Sequence, residues 1–263
     1  MLEREIKINA DGQNRPLVSV IMPAYNAEKY IAEAIESVIS QTYANWELFV
    51  LDDCSTDRTA EIAEGFAETD SRIRLLKNPQ NMGVANTRNR GFDLARGEWI
   101  ALLDSDDVWR SDKLEKQLAL AKESGADIVY SSYHLIGESG ESLRDYLVPE
   151  MTTYEELLKE NVLGCSTVLM HRKVLSNHRF SKEYYHEDYI FWLELLRSGY
   201  CAAGCKEPLV DYRIVKGSRS NDKLRAAKNR WLIYRKVEKM SFTKSANAFV
   251  SYALHGLGKY RSV

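Results

Sequence analysis

The chain alternates apolar runs of strand length with segments of helical period over its first half. Val18-Ser19-Val20-Ile21-Met22 reads as a strand closed by Pro23, and Glu28 to Ser40 as a helix, because Ile31, Ala34, Ile35, Val38 and Ile39 recur at helical spacing. A strand over Trp46–Leu51 follows, then a helix capped by Ser55 or Thr56 and running to Ala67. Arg72–Leu76 predicts a short strand, Asn78 to Gly83 a loop, Val84–Ala95 a helix, and Trp99–Leu103 a strand after the break at Gly97. Ser111 is placed to cap a helix over residues 112–123, and Asp127–Tyr133 reads as another strand. Strands that alternate with helices of this length argue for an α/β fold with a mostly parallel central sheet flanked by helices. Past residue 135 the alternation weakens. Gly137–Pro149 predicts a loop or hairpin, Thr152 or Thr153 caps a helix to Glu160, and Gly164–Met170 reads as extended. Glu187–Arg197 is helical and Leu209–Ile214 extended.

Polar residues gather where the early strands end: Asn26, then Asp52-Asp53, then Asp104-Ser105-Asp106-Asp107. In open α/β sheets the carboxyl ends of the strands form the ligand crevice. Three carboxylates within four positions repel one another and raise each other's pKa, which gains a fold nothing by itself. A hard divalent cation, Mn²⁺ or Mg²⁺, explains the cluster, because such ions take carboxylates and bridge to phosphate-bearing substrates. A plain turn with a helix cap is the alternative, since Ser-Asp-Asp also suits loops. The chain holds neither G-x-G-x-x-G after the first strand nor G-x-x-x-x-G-K-[ST], which disfavours dinucleotide and P-loop sites.

A length of 263 residues with 44% hydrophobic and 28% charged residues allows one large soluble domain with an appendage. Met1 to Pro16 is polar and charged, so no signal peptide is expected, and no run reaches the roughly 20 apolar residues of a membrane span. Cys54, Cys165, Cys201 and Cys205 have no zinc spacing and read as reduced thiols of a cytoplasmic protein. The net charge of −2 hides a strong polarity. From Tyr212 onward stand 13 Lys and Arg against 2 Asp and Glu, leaving 23 against 36 upstream. A tail of this kind suits an anionic partner.

Five motifs in order carry a resemblance. Pro23-Ala24-Tyr25-Asn26, Leu51-Asp52-Asp53-Cys54-Ser55-Thr56-Asp57, Gly83-Val84-Ala85-x-x-Arg88-Asn89-x-Gly91, Leu103-Asp104-Ser105-Asp106-Asp107 and His186-Glu187-Asp188 together resemble the family 2 glycosyltransferases, inverting enzymes of the GT-A fold. The resemblance covers residues 16–215. It implies a nucleotide-sugar donor, UDP-linked in the first instance, held by Pro23, Ala24, Tyr25, Asn26, Asp53, Arg88, Asp104 and Ser105. Asp53 would read the uracil N3–H; a turn or cap is its bland alternative. Tyr25 would pack on base or ribose, or else in the core. Arg88 would pair with phosphate or carboxylate, a structural ion pair to Asp52 or Asp53 being the alternative. By the same resemblance Asp106 is a metal ligand, with Asp107 and His186 as further candidates. Inversion needs a base opposite the leaving group. The resemblance gives that role to Asp188, with Glu187 orienting acceptor or base; capping its own helix is the alternative for Asp188.

The expected organisation is an arm over 1–15, a GT-A domain over 16–215 divided into a nucleotide-sugar half (16–135) and an acceptor half (136–215), and a basic aromatic helical tail over 216–263. Leu224, Ala227, Trp231 and Tyr234 fall on one helical face, and Phe249, Val250, Ala253, Leu254 and Leu257 form a second apolar set. Basic residues beside aromatics read as an interfacial helix on anionic lipid. A helix packed on the domain is the other reading. The tail's end is similar to bacterial enzymes of teichuronic-acid, O-antigen and capsule assembly, which act on sugars carried by a lipid diphosphate. That implies a lipid-linked or oligosaccharide acceptor and a peripheral place on the inner face of the membrane. No nucleic-acid partner is expected, and assembly into a homo-oligomer stays open. A sugar nucleotidyltransferase and a non-catalytic sugar-binding homologue are the rival functions.

Overall fold

In a computed structural model the chain is described over residues 15–215 and 223–260, without the side chains of 223–224 and 255–260. The arm before residue 15 and the expected roles of Leu224 and Leu257 lie outside the described residues. The first half runs β1 (Val18–Ala24), α1 (Ile31–Ile39), β2 (Trp46–Asp52), α2 (Thr59–Thr69), β3 (Ile73–Lys77), α3 (Val84–Leu94), β4 (Trp99–Leu102), β5 (Val108–Trp109) and α4 (Lys113–Ser124). Then come β6 (Ile128–Ile136), β7 (Ser142–Tyr146), β8 (Met151–Thr152), α5 (Tyr154–Lys159), β9 (Leu169–His171), α6 (Glu187–Arg197) and β10 (Ala202–Arg213). The chain closes with α7 (Lys223–Leu232), a π-helical turn at Ile233–Val237 and α8 (Phe242–Tyr260).

One sheet runs in the order β3-β2-β1-β4-β9-β6-β10-β5. The β3-β2-β1-β4 half is parallel, as the alternation predicts, and β6 and β10 are parallel to each other. Between them β9 is antiparallel to both β4 and β6, so the second half is mixed. β1 and β2 are buried along their whole length. Their even residues face a core with Ile31, Ala34, Ile35 and Val38 of α1, and their odd apolar residues face a second core with α6. Burial on both faces explains why these strands read as continuous apolar runs.

Several boundaries differ from the sequence expectation for identifiable reasons. β1 continues through Pro23 to Ala24. Ile21 O accepts the Leu103 N–H at 3.1 Å, so the odd residues of β1 face β4, and the pairing with β4 ends at Ile21. The N–H that Pro23 lacks would point past the end of β4, where no ladder bond is lost. α2 starts at Thr59, because Asp57, not Ser55 or Thr56, takes the capping bonds: its Oδ1 accepts the Thr59 N–H at 3.0 Å. α4 begins after Asp112 without a side-chain cap, so Ser111 does not cap it. Residues 165–167 form a 3-10 turn rather than extended chain. Gly137–Pro149 does form a hairpin, β7 pairing with β6, and Thr153 Oγ1 accepts the Glu156 N–H to cap α5.

The tail packs on the domain. Ile233 and Tyr234 are fully buried in the α6 core, and the Tyr234 hydroxyl donates to Leu158 O. Trp231 stacks edge-on against Phe242 and Phe249, both at 5.7 Å. Glu238 accepts from Tyr154 at 2.7 Å and from Arg197 at 2.6 Å, which ties the turn before α8 to α5 and to the C-terminal end of α6. Trp231, Tyr234 and Phe249 therefore serve the packed-helix reading, while Phe242, Val250 and Leu254 remain exposed. Among the described residues no helix is long and apolar enough to cross a membrane.

Lys113 is fully enclosed, with Nζ donating to Gln117 Oε1 at 2.7 Å and lying 4.0 Å from the Trp109 ring centre. Burial pushes its pKa well below the usual 10.5. Between the folded and unfolded pKa the unfolded chain holds a proton that the folded chain lacks. Stability therefore rises with pH in that window, by up to about 1.4 kcal/mol per unit. Lys113→Met removes that slope. Urea unfolding of both proteins at pH 7, 8 and 9 should show the wild type gaining on the variant as pH rises. A constant gap would mean that Lys113 does not titrate abnormally.

Candidate active site

The site is assembled at the carboxyl ends of β1, β2 and β4, against the N-terminal end of α6. Asp53 follows β2, and its N–H donates to Ala24 O at 2.8 Å, joining the ends of β1 and β2. Its buried carboxylate accepts Asn78 Nδ2 at 2.7 Å and the Met82 and Gly83 N–H groups at 2.8 Å each. Gly83 stands immediately before α3 at φ +80°, a conformation that glycine adopts without strain. Asp53 thus fixes the loop that launches α3. Gly91, on the same helix, lets α3 press against β1: a Cβ there would sit 2.4 Å from Ile21 Cγ2.

That placement delivers Arg88, 4% exposed, into the crevice. Its Nη2 donates to Asp104 Oδ1 at 2.6 Å and its Nη1 to Glu187 Oε1 at 3.3 Å, with the Phe180 ring centre 5.3 Å from Cζ. The structural partners of Arg88 are therefore Asp104 and Glu187, not Asp52 or Asp53. This fork joins the turn after β4 to the first turn of α6, so residues 83 positions apart share one site.

The Asp104–Asp107 turn is held from three sides. The Asp104 N–H donates to Ser166 Oγ at 3.0 Å, and Ser166 O accepts Trp109 Nε1 at 2.9 Å. Arg213, at the end of β10, gives its N–H to Asp107 Oδ1 and its Nε to Asp106 O, both at 2.9 Å, and its Nη2 to Glu33 Oε2 at 2.6 Å. Burial and then the neighbouring Asp104 push the Asp106 carboxyl up to about 6. Burial, Asp106 and Asp104 push Asp107 well above its usual range. Asp188 is raised by burial, with Arg88 the main opposing influence.

Among the described residues no three His, Cys, Asp or Glu side chains converge as a ready-made metal cage, so Asp106, Asp107 and His186 are not brought together as one ligand set. Asp107 is buried and engaged with β10, and His186 sits one position before α6 with its ring 4.9 Å from that of Tyr185. Asp104 and Asp106 are partly exposed and close enough to repel. Mg²⁺ sites commonly use one or two carboxylates, completed by substrate phosphates and water. The donor set of Asp106 with Asp104 fits a divalent ion of that kind.

Of the other expected residues, Pro23 and Ala24 are buried strand positions. Tyr25 is 52% exposed, which excludes core packing. Asn26, at φ +49°, accepts the Thr56 N–H at 2.9 Å and gives its own N–H to Ser55 Oγ at 3.0 Å, linking the loops after β1 and β2. Ser105 is partly exposed at the tip of the acidic turn. Asp188 lies in the first turn of α6, and its buried carboxylate is hydrogen-bonded to the Tyr189 backbone N–H. Ser166 and Arg213 were not legible as site residues. Arg213 had one faint signal, shared with Asp211: a charged residue interrupting the apolar strand pattern of Leu209–Ile214.

Comparison with known proteins gives a consistent result. The family model described as glycosyl transferase family 2 matches residues 19–212. The putative teichuronic acid biosynthesis glycosyltransferase TuaG of Bacillus subtilis is 39% identical over 246 residues, 93% of this chain and 98% of that protein. An Escherichia coli protein, UDP-Glc:alpha-D-GlcNAc-diphosphoundecaprenol beta-1,3-glucosyltransferase WfgD, is 40% identical over 217 residues, 82% of this chain and 84% of that one. Among solved structures, S. aureus TarS 1–349 in complex with UDP-GlcNAc has a TM-score of 0.72 at 21% identity, over 90% of this chain and 71% of that chain. Mannosyltransferase PcManGT from Pyrobaculum calidifontis, in complex with GDP-Man and Mn²⁺, has a TM-score of 0.71 at 19% identity, over 91% of this chain and 69% of that chain. These two structures share its fold, the GT-A fold.

The Arg213 clasp makes a prediction. Lysine keeps the charge at 213 but cannot bond Asp106 O and Glu33 together. Arg213→Lys should cost about 1–3 kcal/mol of stability, the worth of buried charge-assisted hydrogen bonds. It should weaken metal-dependent donor binding by about tenfold through a loosened Asp106 turn. Calorimetric titration with Mn²⁺ and donor, beside urea unfolding, measures both. Unchanged donor affinity would mean that Arg213 only supports the fold.

Proposed function

The chain belongs to glycosyl transferase family 2, and from that premise we propose that it transfers one sugar, with inversion, from a UDP-sugar to an acceptor hydroxyl in bacterial surface-polysaccharide assembly. The acceptor class we favour is a lipid-diphosphate-linked sugar or a growing oligosaccharide. Relatives named for teichuronic acid and for diphosphoundecaprenol acceptors support this class, and the UDP-GlcNAc complex of a structural neighbour supports the donor. Family membership makes the protein a glycosyltransferase and displaces the nucleotidyltransferase and non-catalytic alternatives.

The observation that carries the mechanism is the Arg88 fork. It draws the strand-end carboxylates and the Glu187-Asp188 pair into one crevice. Tyr25 and Asn26 border the donor on one side, and Asp53 is the candidate reader of the base through its remaining acceptor capacity. Asp104, Ser105 and Arg88 face the ribose and diphosphate. Asp106, with Asp104, would hold Mn²⁺ or Mg²⁺, which supplies charge neutralisation on the departing diphosphate. Asp188 takes the proton from the acceptor hydroxyl as that oxygen bonds the anomeric carbon. The bond from that carbon to the diphosphate breaks on the opposite face. Burial raises the Asp188 carboxyl above its ordinary range, which strengthens its hold on a proton and suits a general base. Glu187, fixed by Arg88, orients the pair. Peripheral attachment to the inner membrane face, through the basic residues and the exposed Phe242, Val250 and Leu254 of the tail, is part of the same proposal.

Two experiments test it. Asp188→Asn should lower kcat by about 10²–10⁴ with donor affinity little changed. A variant within a few-fold of wild type would place the base elsewhere, and a product that retains the donor's anomeric configuration would remove the single displacement. Asp106→Ala should abolish metal-dependent donor binding while leaving the circular dichroism spectrum unchanged. Full activity in excess EDTA would refute the metal.

A further inference from the structure

Helix α6 is gripped by the tail at both ends. At its C-terminal end Arg197 meets Glu238. At its N-terminal end two arginines of α7 lie on two tyrosines that flank the Glu187-Asp188 pair. Arg225 Cζ stands 4.3 Å from the Tyr185 ring centre, and Arg230 Cζ stands 3.5 Å from that of Tyr189. Arg230 is 7% exposed, and the Tyr252 ring of α8 lies 4.7 Å from its Cζ. A buried guanidinium with rings this close is largely desolvated, where cation–π attraction reaches its larger values. Tyr189 also reaches the other way, its hydroxyl donating to Leu157 O of α5 at 3.1 Å. The rings on either side of the acidic pair are thus fixed by the tail, and Arg88 fixes the pair from the donor side.

We propose that Arg230 and Arg225 are positioning residues for Asp188, making the C-terminal segment a working part of the active site. This rests on the reading of Asp188 as the base. The tail holds the first turn of α6 at the angle that aims the Asp188 carboxylate at the acceptor. It need touch neither substrate. Loss of the clasp therefore lowers the rate of the chemical step without weakening the donor.

A double-mutant cycle separates this from plain structural support, since residues that act through a shared partner are non-additive. Wild type and Asp188→Asn are assayed first for transfer from a UDP-sugar. Should Asp188→Asn retain wild-type turnover, the base assignment falls and this inference with it. Given an active wild type and a slow Asp188→Asn, Arg230→Met should lower kcat by about tenfold to a hundredfold with donor KM within about twofold. In the Asp188→Asn background the same change should cost less than about threefold. Arg230→Lys, which keeps a cation over the ring, should recover part of the loss. Arg225→Met, at an exposed position that tolerates truncation, should show a smaller kcat loss with the same non-additivity. It keeps the test open if Arg230→Met does not fold. Losses that multiply in the cycle, or a raised donor KM at constant kcat, would overturn the positioning role while leaving the transferase reading intact.

Discussion

Arg88 carries a full positive charge into a nearly solvent-free position, and two carboxylates from distant parts of the chain hold it there. Removing a guanidinium from water costs several kcal/mol, recovered only when charged acceptors meet it with good geometry. Asp104 and Glu187 meet that need, and in doing so they are themselves located. The consequence runs outward. α3 must approach β1 closely enough to deliver Arg88, which requires Gly91. The loop before α3 must be anchored, which engages Asp53. The first turn of α6 must come within reach of β4, which the antiparallel β9 and the 3-10 turn before it make compatible with the sheet.

The parallel half was legible because its signals are local. β1, β2 and β4 read as strands from runs of Val, Ile and Leu, and the acidic and Asn-bearing turns marked where they end. The boundaries of α6 coincide with the expected Glu187–Arg197, since an acidic first turn precedes an apolar run interrupted only by Glu194. What was missed depends on partners far away in sequence. An apolar stretch such as Leu169–Met170 does not encode the direction of its neighbours, so the reversal at β9 had no signature. Ser166 and Arg213 act on the acidic turn only after the sheet has brought them there. The partners of Arg88 could not be assigned for the same reason: the motif holding Arg88 is silent about which carboxylates come near it.

The tail teaches a related lesson. Basic residues interleaved with aromatics at helical spacing are equally suited to lipid and to a protein surface that offers tyrosines and carbonyls. Periodicity says that a face will be covered and is silent about what covers it. Here Trp231, Tyr234 and Phe249 turn inward, and arginines that composition alone would assign to anionic headgroups lie on aromatic rings. The remaining exposed residues, Phe242, Val250 and Leu254, leave a second face on α8.

The continuous sheet has one more consequence, which concerns how such an enzyme can be rebuilt. Because β9 pairs with β4 and β6 at once, one hydrogen-bonded sheet runs without a break through both halves of the described chain. Neither half of the sheet can swing away from the other without tearing the backbone ladder bonds of β9. A chimaera joined at residue 135 would have to import a β9 whose register fits both Trp99–Ala101 and Ile128–Val129 of the host. Recombination is better confined to the hairpin after β6 and to the connection leading into α6, where variation leaves the common frame intact.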